Sequence, residues 1–136
     1  MYKNIIVAVD LAHGEAGKGL LARASELVDP GGTVRLLHVI EDVPSYIAAE
    51  LPRDLNDRRQ AEAKVELGLL TQGADSNVAT EVRSGAASSQ ILQCAEDTGA
   101  DLIMIASHRP GLSDYFIGST AARVVRHAQC SVLISR

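Results

Sequence analysis

Apolar runs and helix-period patterns alternate along the chain. Ile5-Ile6-Val7-Ala8-Val9 is an unbroken apolar run that stops at Asp10, as in a strand covered on both faces. Over residues 15–28 the apolar positions Ala16, Leu20, Ala24 and Leu27 recur at helical spacing, and Pro30-Gly31-Gly32 reads as the stop. Residues 34–40 give a second strand, and residues 41–55, with Pro44 and Pro52, give an irregular connection. Asn56-Asp57 reads as the cap of a helix running to about Leu70, with Ala61, Val65 and Leu69 on its inner face. Residues 77–83 alternate polar and apolar, as expected of a strand nearer a sheet edge.

The second half repeats the alternation. Residues 88–98 predict a helix with Ile91, Leu92 and Ala95 inward and Gly99 as its C-cap. Leu102–Ala106 is a second fully apolar strand. Residues 120–128 predict the last helix, with Ala121, Val124 and Val125 inward and Arg123, Arg126 and His127 towards its C-terminal end, where cations suit the dipole. Ser131–Ser135 is the final strand. Five strands separated by helices predict a single α/β domain over residues 1–136, a doubly wound parallel sheet with helices on both faces. Its ligand crevice is expected at the C-terminal strand ends, where the strand order reverses.

Composition narrows the function. The 136 residues are 46% hydrophobic and 22% charged, which fits a globular core. Aromatics make up only 3%, leaving few rings to stack single-stranded bases. A net charge of −4 gives no broad basic surface, against both nucleic acid and anionic membranes. No apolar run approaches the roughly 20 residues that span a bilayer, and residues 1–10 lack the pattern of a signal peptide, so a cytoplasmic protein is expected. Cys94 and Cys130 have no metal-type spacing and are expected to pack as free thiols.

The candidate chemistry lies at strand ends. Ser107-His108-Arg109 follows the fourth strand, and Gly118-Ser119-Thr120 opens the last helix. Free N–H groups at a helix start favour a phosphate, although serine at such a start is common without any ligand. Asp10, at the end of the first strand, suits ribose hydroxyls or a metal, or else caps the loop it begins. Residues 13–19 place Gly and Lys after the first strand, but the spacing is not GxxxxGK and Gly19 stands where a P-loop needs a hydroxyl. His13, His38, His108 and His127 show no zinc spacing, and there is no GxSxG elbow. No catalytic residue or metal ligand set is therefore assigned.

NIIVAVD at the start, LLHVIEDVP after the second strand, and RSGAASSQILQCAEDTGADLIMIASHR leading into GSTAARVVRHAQCSVLIS resemble the universal stress protein family of the adenine-nucleotide α-hydrolase-like superfamily. ASHRP is similar to its F/G-like bacterial branch. The resemblance implies strand order 3-2-1-4-5, ATP or AMP in the crevice with or without Mg2+, and a dimer. Ser131–Ser135 is the edge strand in that order and is apolar, with no Pro, Lys or Gly to blunt it, so it is the expected homodimer interface, with a tetramer as a further assembly. Asp10 matches the family's acidic residue, Val39 the position whose backbone contacts adenine, and Gly85 the glycine before the third helix. The family's GxxG turn has Ala106 and Arg109 at its glycine positions here, and the loop to Gly118-Ser119 is one residue shorter. Three functions follow: a non-catalytic nucleotide-binding stress protein, an interaction protein of the same fold without nucleotide, or a weak ATP hydrolase.

Overall fold

The structure, a computed structural model, describes residues 1–42, 44–75, 77–106 and 118–135. Five parallel strands form one sheet in the order β3-β2-β1-β4-β5. In chain order these are β1 (Tyr2–Ala8), β2 (Val28–Ile40), β3 (Val78–Ser84), β4 (Leu102–Ala106) and β5 (Ser131–Ser135). The helices are α1 (Gly14–Leu27), a single turn α2 (Ser45–Ala48), α3 (Leu55–Leu70), α4 (Ala87–Thr98) and α5 (Ser119–His127).

The apolar runs of β1 and β4 take the centre, as their double-sided burial requires. Alternation splits their side chains between two cores. Ile5, Val7, Val34, Leu36, Leu102 and Met104 lie in one, with Leu20, Leu21 and Ala24 of α1 and Leu67 of α3. Ile6, Leu37, Ile103 and Ile105 lie in the other, with Ile91 and Cys94 of α4 and Ala121 and Val124 of α5. Gly99 closes α4 with φ +66°, the left-handed cap expected from sequence.

Four expectations are corrected. Pro30-Gly31-Gly32 is not the stop of α1, which ends at Leu27. It lies inside β2, whose first residues pair with the start of β1 across an irregularity between Tyr2 and Asn4. A β-carbon on Gly32 would meet Lys3 O at 2.7 Å, so the strand passes there only with glycine. Asn56 and Asp57 are not the cap of α3: the helix begins at Leu55, and Asp54 before it pairs with Arg58 at 3.0 Å. Ala61, Val65 and Leu69 face outward, and Ala63 and Leu67 are buried instead. Val125 of α5 is also half-exposed, because Ala121 and Val124 alone set that buried stripe.

The entry to β4 is tied to β1 by one side chain. Asp101 accepts the N–H groups of Lys3 at 2.8 Å and Asn4 at 3.0 Å, while its own N–H donates to Asn4 O at 2.9 Å. Burial pulls its carboxyl upward, but those N–H groups outweigh it and hold the carboxyl below its ordinary value. A group lowered in the folded state contributes stability above its unfolded pKa, near 4, and loses it as pH falls through the lower folded value. Asp101→Ala should therefore cost about 1–2 kcal/mol at pH 7, the partly exposed site keeping the loss modest. Urea unfolding should find the gap from wild type narrowing below pH 4.

Candidate nucleotide site at the C-terminal edge of the sheet

All five strands run the same way, so their C-terminal ends share one edge. Asp10 follows β1 there. Its Oδ1 accepts the Ala12 N–H at 2.9 Å and so caps the 3-10 turn Leu11–His13, the bland alternative open in the sequence. The carboxylate is nevertheless exposed at the edge, with its second oxygen available.

Val39 occupies a distinctive position. Alternate residues of β2 turn their backbone groups to opposite neighbours. Val34 N–H donates to Asn77 O and Ile40 O accepts from Gly85 N–H, so even-numbered residues face the β3 side. Leu37 O accepts from Val9 N–H at 2.9 Å, so odd-numbered residues face β1. Beyond Val9 the chain turns away through Asp10 into the 3-10 turn. The Val39 N–H and C=O thus face the β1 side one step past the last rung of that ladder. The side chain is half-buried against the core shared with α4 and α5.

The carbonyl that would form the next rung, Val9 O, lies 3.1 Å from Nδ1 of His38. A carbonyl only accepts, so Nδ1 carries the proton. The link of His38 to Val9 depends on the β1–β2 register, which no local pattern encodes.

Gly85 is buried next to the end of β3, with φ +134°. That backbone strains any other residue, and a β-carbon would lie 3.1 Å from Gln90 Nε2. Its N–H donates to Ile40 O at 2.9 Å and fixes the end of β2 beside Val39. Gln60 Nε2 of α3 donates to Ser84 Oγ at 3.0 Å, joining that helix to the same edge.

Gly118, rather than a serine, is the N-cap of α5, with Ser119 and Thr120 in the first turn. Its carbonyl accepts the Ala122 N–H at 2.9 Å. Because α5 joins the end of β4 to the start of β5, its first turn belongs to the C-terminal side of the sheet. Ala106 ends β4, half-buried. Ser107, His108 and Arg109 lie outside the described residues. The structure thus brings Asp10, Val39 and Gly85 to one edge, with Gly118, Ser119 and Thr120 opening the helix that returns from it.

The other polar assembly lies on β2, β3 and α4. Arg35 contacts Glu81 at 2.9 Å, Glu81 pairs with Arg83, and Arg83 contacts Asp97 at 3.0 Å. Cys94 lies beneath it, its Sγ 3.8 Å from Glu81. Burial first, then the Glu81 charge, push its thiol up to about 11, so it stays protonated at neutral pH. Burial likewise raises the Cys130 thiol, with Asp101 adding to the effect. Among the described residues, no group of three or more His, Cys, Asp or Glu is placed to hold a metal ion. No helix there is long and apolar enough to cross a membrane.

A doubly wound parallel sheet with helices on both faces and a glycine-capped return helix defines a class of α/β proteins that keep their ligands at the C-terminal strand ends. The profile of the Universal stress protein family matches residues 1–136. Universal stress protein G of Escherichia coli O157:H7 is 32% identical over 143 residues, covering 100% of both chains. The solved structure of the hypothetical protein MJ0577 superposes with a TM-score of 0.83 at 25% identity, covering 99% of this chain and 96% of the other. A universal stress protein solved in complex with cAMP shares the fold at a TM-score of 0.61 and 19% identity, with 99% and 97% covered. The chain belongs to the universal stress protein family.

Proposed function

We propose that this chain is a non-catalytic, adenine-nucleotide-binding stress protein that acts as a cytoplasmic homodimer. The observation that carries the reading is Val39, whose N–H and C=O face the side vacated by β1. Adenine offers an acceptor at N1 and a donor at N6, the complement of one backbone N–H and one C=O. Gly85 supports the same edge by pinning Ile40. Asp10 is assigned to the ribose hydroxyls, and Gly118, Ser119 and Thr120 to phosphate at the start of α5. Ser107, His108 and Arg109 join that group on sequence grounds, with the Arg109 guanidinium supplying charge where the family has glycine. ATP or AMP is the ligand, and Mg2+ accompanies the polyphosphate.

A universal stress protein holding cAMP is consistent with a purine ligand on this fold. One observation favours a second reading, an interaction protein of the same fold without nucleotide: Ala106 and Arg109 stand at both glycine positions of the phosphate turn. Calorimetric titration of nucleotide-free protein separates the two. Measurable affinity for ATP and for adenosine is expected, and Arg109→Ala should weaken ATP by about 1.5–3 kcal/mol, as for a hydrogen bond to a charged group. Adenosine affinity should stay unchanged. Absence of binding at millimolar ATP would transfer the assignment to the interaction protein, and equal losses for both ligands would remove Arg109 from the phosphate site.

A further inference from the structure

We propose that His38 is the positioning residue of the adenine edge: its imidazole takes the Val9 carbonyl and thereby leaves the Val39 main chain for the base. The proposal rests on the nucleotide reading above and assigns a role within that site.

In a parallel pair each carbonyl facing the partner strand is the natural acceptor of the next N–H along it. Val9 N–H already donates to Leu37 O at 2.9 Å, so the β1–β2 ladder runs up to Val9. Regular continuation would pair Val39 N–H with Val9 O. Both residues are described, and no such bond is present between them. Instead Val9 O meets His38 Nδ1 at 3.1 Å.

The substitution of a side chain for a backbone donor has two effects. It satisfies a carbonyl that closure of the sheet would otherwise strand. It also ends pairing one residue early, so the Val39 N–H remains directed across the site. A ladder extended by that single rung would use the group that reads adenine N1, while the Val39 carbonyl would keep its direction. His38 therefore controls recognition of the base without touching it. Its other ring nitrogen takes no part in this role, which requires only a donor at the Nδ1 position.

The side-chain geometry names the variants. An asparagine amide nitrogen stands near the place of Nδ1 and can reach the same carbonyl, whereas leucine fills similar space without a donor. Base discrimination supplies a readout that simple loss of stability does not move. ITP presents a donor at N1 and an acceptor at position 6, the reverse of adenine, so a free N–H and C=O pair rejects it.

ATP and ITP affinities of wild type, His38→Leu and His38→Asn are to be compared by titration. His38→Leu should lose about tenfold in ATP affinity, the worth of roughly one hydrogen bond, with ITP affinity unchanged, so the ATP preference falls by the same factor. His38→Asn should retain the preference. A folded His38→Leu protein with an unchanged ATP-to-ITP ratio would overturn the role of His38 while leaving nucleotide binding intact. Wild type that binds no ATP would overturn the nucleotide reading and this inference together. Hydrogen exchange by NMR on wild type guards against a leucine variant that fails to fold. The Val39 amide should exchange readily without nucleotide and become protected with ATP. A Val39 amide protected in the nucleotide-free protein to the same degree as Leu37 contradicts the proposal.

Discussion

Leu67→Ala is expected to destabilise the fold by about 2–5 kcal/mol, the range for truncating a large buried aliphatic side chain. Leu67 is fully buried in the core that also holds Val34, Leu36 and the inward residues of α1. Leu69, two residues on, is 55% exposed, and Val65 is 66% exposed. Alanine at either should change stability by no more than about 0.5 kcal/mol. Urea unfolding of the three variants therefore reads the orientation of α3 directly. A large loss at Leu69 with none at Leu67 would mean that the helix is rotated by half a turn.

That contrast marks where sequence patterning loses its hold. In α3 two apolar stripes compete: Ala61, Val65 and Leu69 at i, i+4, i+8, and Ala63, Leu67 and Leu70 at i, i+4, i+7. Both fit one face of a helix, so periodicity alone does not choose between them. The sheet selects the second, because the chain leaves Ile40 and must return to Val78 with Gln60 reaching Ser84. No such ambiguity exists for β1 and β4, where every side of the run is apolar and either rotation buries it. Val28 and the Pro30-Gly31-Gly32 segment likewise take their structure from distant pairing. Locally those residues form a turn, and only the pairing of Val28 with Tyr2, a contact between distant parts of the chain, makes them strand.

The site divides along the same line. Asp10, Gly85 and Gly118 are visible in the sequence because each stands where a strand pattern stops or a helix pattern begins, which is where a doubly wound sheet keeps its ligands. Gly85 is also marked by its backbone, which admits little else. The pairing of His38 with Val9 is not visible, since it depends on which residue of β2 falls beside the end of β1. The charged chain Arg35-Glu81-Arg83-Asp97 is partly a product of register: strand alternation alone puts Glu81 and Arg83 on one face, but the pairing of β2 with β3 brings Arg35 to Glu81.

The two edges of the sheet lead to the other large expected effect. β3 is blunted: Glu81 and Arg83 are charged residues turned onto the helix-covered face, and Thr80, just before them, is exposed. β5 carries no such device, with Val132, Leu133 and Ile134 half-buried and packed alternately against the two cores. The proposed homodimer pairs β5 with its copy, and a lysine placed there does what native edges do to prevent such pairing. Leu133→Lys removes an apolar contact from each copy, worth about 1.5–3 kcal/mol apiece when fully buried. It also sets two like charges across the two-fold. The dimer should weaken by roughly a hundredfold or more, at 1.4 kcal/mol per tenfold. Thr80→Lys, on the opposite edge, should leave it unchanged. Sedimentation equilibrium at micromolar protein, with circular dichroism to verify the fold, distinguishes the outcomes. A wild type that sediments as a monomer throughout, or a Leu133→Lys protein that stays dimeric, would move the interface away from β5.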